Sequence, residues 1–498
     1  MELKNEKQRD KNVAPPEKDS LGLTVKKSAD LSEWYTQAVL KSEMADYASG
    51  KGFMVLRPYG YELWEQIKEF FDAKIKKTGH RNAYFPTLIP ESLLRRESEH
   101  FEGFTPEVFW VTQSGTQPLS DRFAVRPTSE TIIHDSMSRW IRSWRDLPML
   151  LNVWNSVLRA EIKSTKPFIR SAEFLWQEGH TAHATESEAE KEVMTILLDY
   201  RDVMEKLLAI PVLIGKKSDK EKFVGAVYTT TLEAMMPDGK AVQMGTSHHL
   251  GQNFSKPFEI RFLGEDSELH FVWQTSWGIS WRLIGATIME HGDDKGLILP
   301  PKAAPIQVVI VPIIFSSSNS PEVLSRCSEA LERLASAGIR AQLDSRENYT
   351  PGWKFNEWEL KGVPIRLEIG PRDVANQTAV IVRRDTREKE SVSFASLEDV
   401  IEQKISLIQE SLWNKASQRL KDQTTSVSSF ESLKETIDSK GGFVRAPWCG
   451  SDNCEIKVKD TTGADIRVIP FDETLQTGAL CVVCGQPATN IAYFARAY

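Results

Sequence analysis

The stretch at residues 158–178, LRAEIKSTKPFIRSAEFLWQE, decides the fold that this sequence predicts. Arg159 and Glu161 precede a short polar loop, and Arg170 and Phe174 follow it. Two strands joined by this loop would present both arginines and the phenyl ring on one surface. Guanidinium groups bind phosphate oxygens in pairs, and an aromatic face can stack on a base. The stretch therefore predicts a nucleotide-binding hairpin, although Arg and Glu pairs are also common on sheet surfaces.

Length and composition predict a globular protein of several domains. The chain has 498 residues, which suggests about three structural units. Hydrophobic residues make up 41% and charged residues 26%, a balance that excludes a disordered chain. No apolar run reaches the roughly 18 residues of a membrane-spanning helix. Residues 1–30 are polar and include acidic residues, so we expect a flexible tail rather than a targeting signal, and a soluble, cytoplasmic protein.

The net charge of -7 excludes a uniformly basic nucleic-acid binder, so any contact with RNA must be local. Two short basic stretches are candidates for such a contact. They are Lys216, Lys217, Lys220 and Lys222, and later Arg383, Arg384 and Arg387. Each stretch is equally compatible with an ordinary solvated face.

The first 300 residues predict one α+β domain. Apolar residues at helical spacing indicate an amphipathic helix over residues 61–77, and Gly79 ends it. A strand is expected at residues 83–89, with Pro86 placing it at an edge. The turn signal Pro-Asp-Gly at residues 237–239 separates two later apolar runs. We expect this domain to cover residues 31–301.

After Pro300-Pro301 the pattern changes to alternating strands and helices, which favours a small α/β domain with a largely parallel sheet. We expect it to cover residues 302–405. The predicted elements are strands at 306–313, 339–344, 364–369 and 378–383, and helices at 321–337 and 351–361. A further helix over residues 397–420 leads into a last module, expected at residues 406–498.

Four of the five cysteines lie in two close pairs near the end of the sequence. The pairs are Cys449 with Cys454 and Cys481 with Cys484. Two thiolate pairs on tight turns can form the closed tetrahedral shell of a structural zinc ion, with reduced free thiols as the alternative. So few cysteines in so long a chain favour a reducing compartment over a disulfide framework.

A second group of residues could also be metal ligands. It comprises Glu178, His180, His183, His248 and His249. If residues 176–180 form a strand, His180 and His183 face opposite sides of it, which argues against a shared metal. Most histidines in folded chains are simply hydrogen-bonded, so pocket lining is the favoured interpretation.

The nucleotide-binding hairpin resembles motif 2 of class II aminoacyl-tRNA synthetases. The helix at residues 61–77 and the strand with Pro86 are similar to motif 1, which builds a dimer interface in that family. WGISWR, at residues 277–282, resembles motif 3. Ser276 and Ser280 stand where the wider class often has glycines, a departure compatible with the prolyl branch.

Three further strings are similar to prolyl-tRNA synthetases of the archaeal and eukaryotic type. They are RPTSE at residues 126–130, WQEGH at 176–180 and GTSHHLGQN at 245–253. The resemblance covers residues 31–498. It implies an antiparallel-sheet class II catalytic core, an α/β anticodon-binding domain and a small C-terminal zinc-binding α/β domain.

The resemblance implies an ATP-dependent proline–tRNA ligase that acts as a homodimer. Such an enzyme activates L-proline with ATP to prolyl-adenylate and pyrophosphate, then transfers proline to the 3′ end of tRNA(Pro). Mg²⁺ is expected with the ATP, and the sequence does not identify its ligands. Arg159, Arg170 and Arg282 are all present, which favours an enzyme over a noncatalytic synthetase-like protein.

The resemblance also implies residue roles. Arg159, Arg170 and Arg282 would be catalytic, with Arg159 on the α-phosphate and the other two on the outer phosphates. The ATP-binding residues would be Arg159, Glu161, Arg170, Phe174, Gln243, Thr246 and Arg282. The proline-binding residues would be Phe104, Thr128, Glu130, Arg159, Trp176, Glu178, His180, His248 and Ser280. A secondary ammonium beside an apolar ring requires such a mixture of carboxylates and aromatic walls.

Residues 351–355 and 362–373 resemble the anticodon-reading surface of this family. The candidates for contact with the anticodon are Glu359, Lys361, Arg366 and Arg372, each of which could equally form a surface ion pair. Only 61 residues separate His183 from Gly245, too few for an inserted hydrolytic domain. We therefore expect no editing domain for mischarged alanine.

Overall fold

The computed structural model describes residues 22–98, 107–160, 165–314 and 320–498. The described residues of its N-terminal region, within 22–300, form six α-helices. They are α1 (Leu31–Lys41), α2 (Pro58–Lys77), α3 (Glu91–Ser98), α4 (Glu130–Trp140), α5 (Glu186–Asp202) and α6 (Arg282–His291). Its first eight strands are β1 (Ala45–Tyr47), β2 (Met54–Leu56), β3 (Arg81–Asn82), β4 (Leu88–Pro90), β5 (Trp110–Ser114), β6 (Gln117–Val125), β7 (Met149–Leu158) and β8 (Glu173–His183).

Further strands follow in this region. They are β9 (Leu213–Lys216), β10 (Tyr228–Met235), β11 (Ala241–Gly251), β12 (Arg261–Leu263), β13 (Leu269–Phe271) and β14 (Trp273–Ser280). β12 and β13 pair with each other in a separate sheet, and the other four complete the main sheet. The strand order is β9-β10-β11-β14-β8-β7-β3, and every pair is antiparallel except β7 with β3. This confirms the predicted antiparallel core. β7 and β8 are the two strands of the nucleotide-binding hairpin, and the turn at residues 237–239 joins β10 to β11.

A helical layer covers one face of this sheet and buries its aromatic core. Phe71 of α2, Tyr200 of α5 and Trp277 of β14 pack together, with the rings of Phe71 and Tyr200 4.9 Å apart. All three side chains are essentially inaccessible to solvent. The opposite face carries the polar side chains of the cavity described below. The buried layer thus fixes which residue of each strand can face a ligand.

The predicted helix at residues 61–77 is confirmed as α2, which begins three residues earlier at Pro58, a residue suited to the first helical turn. The strand predicted at residues 83–89 is confirmed only at residues 88 and 89, which belong to β4, and is wrong for residues 83–87. That segment leaves β3, which pairs with β7, and enters β4, which pairs with β6 of another sheet. Because the chain crosses between two sheets there, residues 83–87 form no ladder of their own.

The middle region, residues 301–422 as far as it is described, is an α/β unit. Its strands are β15 (Val308–Pro312), β16 (Ala341–Leu343), β17 (Ile365–Ile369), β18 (Thr378–Arg383) and β19 (Lys389–Ser393). Its helices are α7 (Ser320–Ser336), α8 (Pro351–Lys361), α9 (Pro371–Asn376) and α10 (Leu397–Asp422). The predicted elements are confirmed, but the sheet is mixed rather than largely parallel, because β17 pairs antiparallel with β18 and β18 with β19. Residues 370–377 are too few for a parallel crossover.

The C-terminal region, residues 423–498, extends the main sheet. It contains the strands β20 (Thr424–Ser426), β21 (Phe443–Trp448), β22 (Asp465–Pro470) and β23 (Asn490–Ala495), with the helices α11 (Phe430–Ser439) and α12 (Asp452–Thr462). β22 pairs antiparallel with β9, with Ile469 opposite Lys216. The result is one sheet of 11 strands that runs through both regions.

Two expected boundaries fall on ordered elements. The boundary between residues 405 and 406 lies inside the single helix α10. Of the expected tail, residues 1–21 lie outside the described residues, whereas the backbone N–H of Lys27 donates to Asp294 Oδ1 at 2.7 Å. In the part of the chain that the structure describes, no helix is long and apolar enough to cross a bilayer.

Candidate active site

A cavity of about 430 Å³ lies on the uncovered face of the main sheet. The strand β8 supplies it with alternate residues, namely Phe174, Trp176, Glu178 and His180. Gln177, between Trp176 and Glu178, points to the helical layer and accepts a hydrogen bond from Tyr200 Oη at 2.6 Å. The period of two in the string WQEGH therefore predicts the division between ligand face and core face correctly.

On β11 the same division depends on a bulge. Gln243, Thr246 and His248 all line the cavity, although simple alternation would place Gln243 on the other face. The register shifts between Leu232 and Glu233 of β10, so that Met244 is an extra residue without a direct partner. A bulge of this kind redirects the side chains that follow it and is common beside functional sites.

Glu178 is the centre of a buried hydrogen-bond network at the end of the cavity. Its Oε1 accepts from Asn155 Nδ2 at 2.8 Å, and its Oε2 accepts from the Ser129 backbone N–H at 3.1 Å. His180 Nε2 lies 3.1 Å from the same Oε2. Burial alone would raise the pKa of Glu178, but these hydrogen bonds and the charge of His180 outweigh burial and lower the pKa to about 2. Glu178 is therefore a fixed negative charge.

Glu130 is a second buried carboxylate, at the first position of α4. Its Oε1 accepts from Ser276 Oγ at 2.9 Å, and its Oε2 accepts from Thr128 Oγ1 at 3.3 Å. Burial raises the pKa of Glu130; the charge of His180 opposes that shift, and the negative charge of Glu178 adds to it. Two buried carboxylates that share the Thr128 hydroxyl can form a site for a cationic amine.

His248 forms the wall next to these carboxylates. Its Nδ1 lies 2.9 Å from Thr229 Oγ1, and its Nε2 lies 3.0 Å from Thr246 Oγ1. The ring of Phe223 packs on the imidazole, with centroids 4.8 Å apart. Burial, followed by the charge of His180, lowers the pKa of His248 to about 3, so the ring is neutral at physiological pH. The wall is thus uncharged and largely apolar, as a hydrophobic ring requires.

The other end of the cavity is electropositive and aromatic. The guanidinium of Arg159 lies 5.4 Å from the ring centroid of Phe174 and 5.3 Å from that of Trp176. Arg282, the first residue of α6, donates from Nη2 to the Ile169 carbonyl at 3.4 Å. Burial, followed by the charge of Arg159, lowers the pKa of Arg282 to about 10. Two arginines beside a phenyl ring are suited to the phosphates and the base of a nucleotide.

Most of the predicted site residues come together in this cavity. Those that line it are Thr128, Glu130, Arg159, Phe174, Trp176, Glu178, Gln243, Thr246, His180, His248, Ser280 and Arg282. Arg170 is described but lies outside this lining, in the loop where its backbone bonds to Lys166. Phe104 and Glu161 fall outside the described residues.

Sequence reasoning missed several lining residues. Glu107 precedes β5, Thr229 lies at the start of β10, and Lys217, Glu221 and Phe223 come from the segment between β9 and β10. No periodic pattern marks these positions, because their side chains are placed by tertiary contacts. The proposed basic stretch did include Lys217, but this lysine is buried against Glu233 at 2.7 Å rather than exposed to RNA.

The four C-terminal cysteines form a cluster whose sulfur atoms lie within 4.8 Å of one another. Cys449 Sγ is 3.6 Å from Cys454 Sγ and 3.7 Å from Cys484 Sγ. Tetrahedral zinc with Zn–S bonds of about 2.3 Å requires sulfur atoms about 3.8 Å apart, so the cluster fits this ion. The remaining cysteine, Cys327, is buried in α7.

Two of the histidines considered as metal ligands, His183 and His249, lie outside the lining of the cavity. His183 lies on the far side of β8 from His180, with its Nε2 2.8 Å from Thr181 Oγ1. His249 stacks on Tyr228, with centroids 5.1 Å apart. Within residues 22–98, 107–160, 165–314 and 320–498, the only group of three or more side chains spaced to hold a metal is the cysteine cluster.

Two of the four anticodon candidates line a small cavity of the middle region. Glu359 and Arg366 line it, and Arg366 packs on Phe355 with its guanidinium 4.0 Å from the ring centroid. Lys361 forms ion pairs with Glu43 and Glu357, at 2.7 and 3.1 Å. Arg372 is exposed on α9.

The second basic stretch belongs to the same cavity. Arg383, Arg384 and Arg387 all line it. Arg384 also bonds bidentately to Asp293, which follows α6, so part of this positive charge joins the middle region to the N-terminal region.

Three family models match the chain in the order of its three regions. Residues 109–291 match the "tRNA synthetase class II core domain (G, H, P, S and T)", and residues 307–404 match the "Anticodon binding domain". Residues 430–498 match "Prolyl-tRNA synthetase, C-terminal". With the antiparallel sheet and its arginine-lined cavity, these matches define a class II aminoacyl-tRNA synthetase.

Relatives that match nearly the whole chain identify the family within this class. The proline–tRNA ligase of Cenarchaeum symbiosum (strain A) is 56% identical, covering 96% of this chain and 100% of the relative. That of Alkaliphilus oremlandii (strain OhILAs) is 52% identical over 94% of this chain and 96% of the relative. The chain belongs to the prolyl-tRNA synthetase family, as its motifs predicted. A crystal structure of prolyl-tRNA synthetase from Cryptosporidium parvum, complexed with halofuginone and AMPPNP, matches with a TM-score of 0.92 and 44% identity over 96% of this chain and 100% of that one.

Proposed function

We propose that this chain is a proline–tRNA ligase whose two half-reactions take place in the cavity on the main sheet. The observation that carries the proposal is the juxtaposition of two unlike ends. One end has the buried carboxylates Glu130 and Glu178 for a secondary ammonium, and the other has Arg159 and Arg282 for phosphates. The aromatic rings of Phe174 and Trp176 join the two ends.

In the first half-reaction the proline carboxylate attacks the α-phosphorus of ATP, and pyrophosphate leaves. Because a carboxylate is ionised at neutral pH, the step needs no general base. Arg159 is assigned to hold the α-phosphate and the proline carboxylate together. Arg282 is assigned to take up charge on the leaving pyrophosphate. Catalysis is then positioning plus electrostatic stabilisation.

The base of ATP is assigned to the surface formed by Phe174, Gln243 and Thr246. Phe174 supplies a stacking face, while Gln243 and Thr246 supply polar contacts to the base and the ribose. Glu161 and Arg170 remain assigned to ATP by their place in motif 2. Mg²⁺ is expected to accompany the triphosphate as part of the substrate. In the second half-reaction the terminal hydroxyl of tRNA(Pro) attacks the prolyl carbonyl of the adenylate, the bond to the phosphate breaks, and AMP leaves.

The proline ring is assigned to the wall formed by Trp176, His248 and Ser280, with Phe104 added by resemblance. Its ammonium is assigned to Glu130 and Glu178, oriented by Thr128 and His180. The neutral state of His248 supports this assignment, since a charged imidazole would repel the ammonium.

The tRNA partner is assigned to the middle region through Glu359, Lys361, Arg366 and Arg372. Residues 184–244 form α5, β9, β10 and the first part of β11, and therefore belong to the main sheet and its helical layer. This supports an enzyme without its own editing domain. Hydrolysis of Ala-tRNA(Pro) by the purified protein would contradict that part of the proposal.

A structural zinc ion in the cysteine cluster and a homodimer complete the proposal. Large apolar side chains are exposed on the N-terminal region, as expected for an interface. They are Tyr84, Leu88, Trp110, Trp140, Trp144 and Leu269. Thiolates that must stay reduced for zinc favour the cytoplasm as the location. The domains proposed are a tail at 1–30, a catalytic domain at 31–301, an anticodon-binding domain at 302–405 and a zinc-binding domain at 406–498.

The test of the activity is proline-dependent exchange of radioactive pyrophosphate into ATP. We expect exchange in the presence of proline and none in control reactions without an amino acid. We expect Arg159→Ala to abolish the exchange. Arg326→Ala, which removes a guanidinium paired with Glu329 on α7, is the matched control and should keep full exchange. Exchange with another amino acid but not with proline would contradict the proposed substrate. No exchange with any amino acid would contradict the proposal that the chain is an enzyme.

A further inference from the structure

A buried charge cluster links the C-terminal region to the wall of the cavity. Glu233 of β10 is inaccessible to solvent and accepts a hydrogen bond from Lys217 Nζ at 2.7 Å. Arg467 of β22 binds the same carboxylate with two nitrogens, at 3.0 Å from Nε and 2.9 Å from Nη2. Thr231 Oγ1 donates to it at 3.0 Å. One carboxylate is thus shared by two cationic side chains from different regions.

The cluster lies on the side of the cavity assigned to ATP. Glu233 is the direct cross-strand partner of Gln243, and Lys217 lines the cavity together with Gln243 and Arg282. The carboxylates assigned to the proline ammonium lie elsewhere, on α4 and β8. A change in the cluster therefore acts first on the ATP end.

Two further contacts fasten the same wall to the C-terminal region. Ser218, next to Lys217, donates to Glu455 Oε1 of α12 at 2.8 Å. Glu221, which also lines the cavity, lies 3.8 Å from Lys459 Nζ of the same helix. The segment at residues 217–223 is therefore held between the main sheet and α12.

The cluster contains two basic side chains and one carboxylate. Burial alone would raise the pKa of Glu233, but the charges of Lys217 and Arg467 outweigh burial and lower it. Burial is the largest influence on Lys217 and lowers its pKa, whereas Glu233 opposes that shift. Both Glu233 and Arg467 act electrostatically on Arg282, with opposite signs and with the contribution of Glu233 the larger.

We infer that Arg467 is a positioning residue for ATP, through which the C-terminal region takes part in proline activation. It orients Glu233 and thereby Lys217 at the cavity wall, and its charge complements the triphosphate. The inference rests on the proposed function, because it assumes that the cavity binds ATP. It assigns the C-terminal region a role in the active site in addition to holding a metal.

The test is the kinetics of pyrophosphate exchange by the full-length variant Arg467→Met. A unit charge acting over roughly 10 Å at an effective dielectric constant of about 20 changes the binding of an anion about tenfold. We expect the KM for ATP to rise about tenfold, with the KM for proline within about twofold. Arg467→Lys should restore most of the ATP affinity because it keeps the charge. A uniform loss of structure would instead lower the active fraction and leave both KM values unchanged.

Two further variants complete the design. Arg445→Met is the matched control, because Arg445 lies in the same region and pairs with Glu473 away from the cavity; it should leave both KM values unchanged. Lys217→Gln removes the cavity-lining member of the cluster and should raise the KM for ATP in the same way, which keeps the test open if Arg467→Met does not fold. Unchanged KM values for ATP in the folded variants, or equal increases for ATP and proline, would overturn the inference. Absence of exchange by the unmodified chain would instead overturn the proposed function.

Discussion

Replacing Glu130 by glutamine tests how the cavity selects a secondary amine. The substitution preserves shape, and the amide oxygen can still accept the hydrogen bond from Ser276 that Glu130 Oε1 accepts at 2.9 Å. It removes one negative charge from a fully buried site, and with it one charge-assisted hydrogen bond to the proline ammonium. Such a bond contributes about 1.5–3 kcal/mol, so we expect the KM for proline to rise roughly 10- to 150-fold.

The expected change is confined to one substrate, since the ATP end of the cavity is formed by other side chains. The KM for ATP in the exchange assay should stay within about twofold of that of the unmodified chain. Ser280→Ala, which alters a lining residue without changing charge, is the matched control and should affect proline far less than Glu130→Gln. An unchanged KM for proline in Glu130→Gln would refute the assignment of this carboxylate.

The same carboxylate predicts a pH dependence. Burial raises the pKa of Glu130 in the folded protein, and only its ionised form attracts the ammonium of proline. The value of kcat/KM for proline should therefore fall as the pH falls through that raised pKa, and it should be constant above it. Glu178, whose pKa is lowered to about 2, stays ionised throughout this window. Glu130→Gln should abolish the acid limb, and a persisting limb would assign it to another group.

The remaining predictions concern the metal, the core and the assembly. Cys449→Ser should lose bound zinc and melt at a lower temperature, whereas Cys327→Ala should retain one zinc ion per chain; full zinc in the first variant would exclude the cluster as the site. Gly179→Ala places a methyl group inside the ring of Trp277 and should destabilise the fold by about 1–3 kcal/mol in denaturant unfolding, whereas Gly352→Ala, with open space around it, should be neutral. Equal changes in stability for the two variants would contradict the close contact between Gly179 and Trp277. Sedimentation should give twice the chain mass, and a monomer would reject the homodimer.

Some elements follow closely from local sequence. The helix α8 was predicted with its observed bounds because Thr350 caps it, Pro351 occupies its first position and Gly362 ends it in the left-handed conformation. The resemblance named Phe174, Trp176, Glu178 and His180, and their spacing of two agrees with strand alternation, which no bulge interrupts where β8 pairs with β7. Where each residue carries its own structural signal, the sequence alone is sufficient.

Other features depend on parts of the chain that are far apart. The bulge at Met244 exists because β10 and β11 pair with a one-residue offset, and no residue type marks it. Lys217 was interpreted as a surface cation because its sequence neighbours do not show what it contacts. It binds the carboxylate of Glu233 on another strand, and Arg467, much later in the chain, binds the same carboxylate. The break near Pro86 arises from competition between two sheets for one short segment. Tertiary pairing decides all three.

The shared 11-stranded sheet has a consequence for how the protein is made. β9 is the outer strand of the N-terminal part of the sheet until β22 pairs with it, and β22 in turn is paired on its other side by β23. During synthesis, more than two hundred residues are added between β9 and β22. Throughout that interval β9 offers unpaired N–H and C=O groups, a template for pairing with other chains. The C-terminal region thus closes a hazardous edge, and nascent chains that end before β22 should bind chaperones more than full-length chains do.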